Sequence, residues 1–108
     1  MEGSIRIAKL ADKTLITLRG MLDKELAFNL MGIASKTEPP VMLNLRQVPH
    51  LTVAGSQAIL SFYQLHQQKP EIQEANEDVV SLLNLTGAGR YINLLPNPND
   101  NNLDTAQD

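Results

Sequence analysis

The chain has 108 residues, 43% of them apolar but only 4% aromatic, with no Trp, so it supports one compact domain with an aliphatic core and no broad stacking platform for bases. Nine basic residues stand against twelve acidic ones, net −3, and residues 96–108 hold three of the acids and no base; the remainder is formally neutral and lacks the basic face of a nucleic-acid binder. The absence of Cys excludes disulfides, thiolate metal sites and a Cys nucleophile.

No apolar run approaches the roughly 20 residues of a membrane span, and the opening MEGSIRIAKL has no signal-peptide pattern. The expectation is a cytoplasmic domain with no membrane insertion.

Ser4 to Lys9 alternates, with Ile5 and Ile7 on one side, and predicts a strand. Asp12-Lys13 supplies a turn, Thr14 to Arg19 a second strand, and Gly20 its end, so the two form a hairpin. Asp23 is an N-cap for the next segment, in which Leu26, Leu30, Ile33 and Ala34 share one helix face. Pro39-Pro40 stops that helix. Val41 to Leu45 is nearly all apolar and reads as a central strand covered on both faces.

Thr52 to Gly55 opens a second helix, running to about Gln67, with Ile59, Phe62, Tyr63 and His66 on one stripe. Glu71 to Ala75 reads as a strand near an edge. Asn76 caps a third helix whose Val79, Leu82, Leu83 and Thr86 make one face. Gly87 ends it, and Arg90 to Leu95 is the last strand. The pattern predicts an α/β fold, a mixed sheet of about five strands with about three helices, order ββαβαβαβ. Residues 1–95 are expected to form the domain and 96–108 a disordered polar tail.

No catalytic constellation stands out. There is no phosphate-binding glycine loop and no nucleophile elbow. His50 and His66 are the only histidines and are not spaced as a helical metal pair. Glu77-Asp78 reads as first-turn helix charge. The expectation is a chain that is not an enzyme, with no cofactor and no metal site.

Three stretches resemble one family. Gly20-Met21-Leu22-Asp23 looks like the G-x-L-D turn after the second strand of STAS domains (sulfate transporter and anti-sigma factor antagonist). Residues 41–60, VMLNLRQVPHLTVAGSQAIL, resemble that family's strand, loop and D-S-x-G helix start. Residues 75–95, ANEDVVSLLNLTGAGRYINLL, are similar to its third helix, glycine stop and final strand. Small single-domain members are mostly bacterial anti-sigma factor antagonists. The resemblance therefore implies partner switching in transcription regulation: binding to a serine-kinase-type anti-sigma factor, ended by phosphorylation of a Ser at the start of the second helix. A dianionic group there changes the charge of the contact without unfolding the domain.

This sequence departs from the motif where it matters. Aligning Gly55 with the motif glycine puts Thr52 on the Asp, Val53 on the phosphorylatable Ser and Ala54 on the variable position. Val53 has no hydroxyl, so phosphorylation is not expected there; Thr52 and Ser56 are the neighbouring hydroxyls to which an acceptor could be displaced. The implied partner-binding surface takes in Gly20, Leu22, Asp23, His50, Thr52, Val53, Ala54, Gly55, Ser56 and Gln57.

The segment from Asp23 to Val41 is short by about one helical turn. The family's closing helix has no counterpart in the polar tail, which leaves apolar surface for a partner or a second copy of the chain, so a homodimer is compatible. Two alternatives share the fold: a subunit that stabilises the ATPase of a lipid-transport ABC complex, and an unphosphorylated scaffold in a signalling assembly.

Overall fold

The computed structural model describes residues 3–96; the polar tail expected over 96–108 lies outside them, save for Pro96. Five strands form one sheet: β1 (Ser4–Lys9), β2 (Thr14–Arg19), β3 (Val41–Gln47), β4 (Glu71–Gln73) and β5 (Asn93–Leu94). Their spatial order is their chain order, with β1 antiparallel to β2 and all later pairs parallel. Between the parallel strands run α1 (Lys24–Ala34), α2 (Val53–His66) and α3 (Glu77–Leu85). Each crossover steps one strand in the same direction, so right-handed connections put all three helices on one face.

The strand burial follows from that arrangement. Thr14, Ile16 and Leu18 of β2 and Val41, Leu43 and Leu45 of β3 are buried, while Leu15, Thr17, Met42 and Asn44 between them are only half-buried. The expectation that β3 is covered on both faces is therefore corrected: helices cover one face only. The open face is closed in part by its own side chains. Lys13 Nζ donates to Glu71 Oε1 at 3.1 Å, reaching across β3, and Asn44 Nδ2 donates to Gln73 Oε1 at 2.9 Å.

β1 is an edge strand. Ile5 pairs with Leu18 and Ile7 with Ile16, so both isoleucines face the helix side. Only Ile5 packs against the core; Ile7 is 51% exposed because the helices sit over the inner strands.

Caps set the helix limits. The Asp23 side chain accepts from Leu26 N at 3.0 Å and that of Asn76 from Val79 N at 2.9 Å. Gly87 stands just past α3 at φ 86°, a backbone that favours glycine. The last strand is shorter than the sequence suggests: Ala88–Tyr91 is a 3-10 turn and β5 is two residues long. The Tyr91 ring lies 5.1 Å from that of Tyr63 on α2, and Ala88 and Ile92 are buried. Packing of this segment on α2 delays its entry into the sheet.

Candidate functional site: two loops fastened at the start of helix α2

The chain leaves β2 through Gly20, whose φ of 94° turns it sharply. It leaves β3 through Val48-Pro49-His50. These two exits are joined by backbone bonds. Gly20 N donates to Gln47 O at 2.9 Å, Leu22 N to His50 O at 3.3 Å and Thr52 N to Leu22 O at 3.3 Å, and Leu22 and Leu51 form a parallel bridge. The sheet pairing of β2 and β3 is thus prolonged past the strands to the first residue of α2.

Thr52 is the fastening. Its hydroxyl donates to Leu22 O at 2.7 Å and accepts from Gly55 N at 3.1 Å, which makes it the N-cap of α2. Gly55 is buried and stands over Leu22: a Cβ there would lie 2.6 Å from Leu22 O, 2.8 Å from Leu51 Cδ1 and 2.9 Å from Leu22 Cγ. The third loop joins from the other side. Asn76 Nδ2 donates to Val48 O at 3.3 Å and Pro49 O at 3.2 Å, so the cap of α3 also holds the β3 exit. His50 Nδ1 lies 3.8 Å from Asp78 Oδ2, but both side chains are well exposed, and such a pair contributes little.

A Thr52→Val replacement keeps the shape and removes the hydroxyl. It leaves Gly55 N–H without its acceptor inside the fold. The expected cost is about 1–2 kcal/mol of stability, read by chemical denaturation, with Thr52→Ser close to wild type.

The structure sorts the surface expected from the sequence into two layers. Asp23, His50, Val53 and Gln57 are exposed, and Thr52 and Ala54 are half-buried. Gly20, Leu22, Gly55 and Ser56 are buried. Those four shape the surface from beneath and present no side chain to a partner. Leu22 is a core residue because its backbone is held between the two loops. Ser56 is 1% exposed, and its hydroxyl donates to Val53 O at 2.9 Å. A kinase reaches it only when the first turn of α2 opens. The Thr52 hydroxyl is committed in both directions. Val53, by contrast, is 55% exposed as the first residue of α2.

Charge around this end is uneven. The first turns of α1 and α3 carry Glu25 and Glu77-Asp78, whereas that of α2 carries no acid. The positive end of the α2 dipole therefore has no acidic side chain of its own helix over it. Among the described residues, no group of three His, Asp or Glu is placed to hold a metal ion, and no helix is long and apolar enough to cross a membrane.

Sequence reasoning missed Met21, Phe28 and Met31. Met21 is the exposed apolar member of its turn, where the expected contacts were Gly20, Leu22 and Asp23. Phe28 and Met31 lie off the α1 stripe of Leu26, Leu30, Ile33 and Ala34 and face solvent. Large apolar residues outside the buried face were the signal that would have found them.

No family model and no curated protein matches the chain in sequence. Solved structures match it in fold. A protein assigned as an anti-sigma factor antagonist in Thermotoga maritima superposes with a TM-score of 0.76 at 14% identity, over 93% of this chain and 92% of that one. An anti-sigma factor antagonist from Mycobacterium paratuberculosis gives 0.71 at 15% identity, over 99% and 96%. The unphosphorylated antagonist SpoIIAA gives 0.66 at 9% identity, over 96% and 98%. The sheet order, the single helical layer and these superpositions give the chain the STAS fold, the fold of the anti-sigma factor antagonists.

Proposed function

We propose that the chain is a protein-binding regulatory module of the anti-sigma factor antagonist type, which binds a serine-kinase-type anti-sigma factor in the cytoplasm and is not switched by phosphorylation at the start of α2. Its contact surface is the exposed layer of the site: Asp23 on one loop, His50 and Thr52 on the other, and Val53, Ala54 and Gln57 on α2. The observation that carries the reading is Val53. An apolar side chain is 55% exposed on the first turn of α2, while the residues around it are tied down by hydrogen bonds. A rigid frame that holds one apolar group out to solvent suits a partner contact. The same residue carries no hydroxyl for a kinase to modify.

Binding to the kinase-type anti-sigma factors encoded with this chain tests the proposal. A stable complex is expected, and ATP should not dissolve it. Loss of the complex on adding ATP, together with phosphate on Thr52 or Ser56, would show the switch displaced instead of lost. No complex with any of them would remove the antagonist reading.

A further inference from the structure

A groove of about 640 Å³ runs between α1 and the start of α2. Phe28, Met31, Ala27 and Ala54 give it an apolar lining, and Asp23 and Glu25 stand at the end nearest the start of α1. Phe28 is 77% exposed and Met31 44%. The two are three residues apart on one helix, so they are neighbours on its surface. An exposed Phe beside an exposed Met leaves apolar area in water that a monomer has no reason to expose as a pair.

We propose that this groove receives an amphipathic helix of a partner protein, with an apolar stripe flanked by basic residues. The proposal rests on the binding-module reading and adds to it the chemistry of the docked element. Shape argues for a helix. α1 and α2 pack side by side, and the trough between two packed helices accepts the ridge of a third. Ala27 and Ala54 are short, which lets that ridge approach closely. α1 is 11 residues long, or about 16 Å, enough to seat about three turns.

Charge argues for basic flanks. Two carboxylates, Asp23 and Glu25, line the groove against one ammonium, Lys24, and its other polar members, Asn29 and Gln57, are neutral. Only one oxygen of Asp23 is taken by the cap to Leu26 N. A cationic residue beside the apolar stripe therefore meets one excess negative charge at the end where Asp23 and Glu25 stand.

The test uses the full-length protein and two labelled peptides of about four turns. Both carry the same leucine stripe, one with lysines and one with glutamates on the polar face. Fluorescence anisotropy gives affinity, and amide chemical shifts give location. The lysine peptide should bind at least about tenfold more tightly than the glutamate peptide, with shifts centred on α1 and the start of α2. Phe28→Ser keeps every charge and removes the exposed ring; it should weaken the lysine peptide at least about tenfold while the melting temperature stays put.

Equal affinity for both peptides, shifts located elsewhere, or binding that survives Phe28→Ser would overturn the proposal; the last outcome would mean charge attraction alone. A dimer of the unliganded protein that Phe28→Ser dissolves would overturn it too, because the occupant would then be a second copy of the chain. No anti-sigma factor is present in this experiment. Failure here leaves the Val53 reading standing, and failure of that reading leaves this result standing.

Discussion

Gly55→Ala should lower the melting temperature by about 10 °C, although alanine is the better helix former by about 1 kcal/mol. The reason is the space over Leu22. The added Cβ would sit 2.6 Å from a backbone carbonyl oxygen. That oxygen cannot swing aside, because it accepts from both the backbone and the hydroxyl of Thr52. Relief requires α2 to lift from the loops or the Gly20–Asp23 turn to retreat, and either weakens the bonds that join β2, β3 and α2. Overpacking of this kind costs about 1–3 kcal/mol, and the stretched hydrogen bonds add to it. Gly32→Ala is the internal contrast. Gly32 is exposed on α1 with nothing within 4 Å of where an added Cβ would stand, so alanine should stabilise by about 0.5–1 kcal/mol. The same substitution thus has opposite signs at two helical glycines. An unchanged melting temperature for Gly55→Ala would show that the two loops are not rigidly fastened to α2.

The opposite signs also show where sequence reasoning stops. Local chemistry was readable: Asp23 and Asn76 cap their helices, each side-chain oxygen accepting from the backbone N–H three residues on, and Pro39-Pro40 keeps α1 and β3 apart. The alternation of buried positions in β2 follows the pattern of its residues. β3 was misjudged because four apolar residues in five suggest two covered faces, although Asn44 in the middle already marks the open one. Arg90 to Leu95 looks like a strand by composition, yet the Tyr91–Tyr63 contact with α2 holds Ala88–Tyr91 in a 3-10 turn. That contact joins residues far apart in the chain and leaves no local trace. The same holds for the site. The motif-like stretches Gly20–Asp23 and Thr52–Gly55 were visible as motifs, but which members face solvent depends on how the two loops cross. Leu22 goes under and Met21 stays out because Leu22 pairs with Leu51.

Val53→Asp should abolish partner binding while leaving the fold intact, and the two halves of that expectation support each other. Val53 is the first residue of α2, after its N-cap Thr52. A carboxylate there lies at the positive end of a helix with no acid in its first turn, a placement that stabilises by about 0.3–1 kcal/mol. The side chain is exposed, so little packing is lost. Denaturation should therefore show equal or slightly greater stability. In a complex, the same carboxylate would be buried against a surface shaped for an apolar group. Losing its water without gaining a partner costs about 3 kcal/mol or more, which is about a hundredfold in affinity. A variant that is as stable as wild type and fails to bind has lost the contact, not the fold. Val53→Ser completes the comparison. It puts a hydroxyl on an exposed side chain with no acid from its own helix beside it, and binding should weaken only slightly, by about a tenfold at most. With kinase and ATP added, that variant should take up one phosphate at residue 53 and then release the partner, as Val53→Asp does from the start. If Val53→Asp binds as tightly as wild type, the contact lies elsewhere and the exposed layer around α2 is not the partner surface.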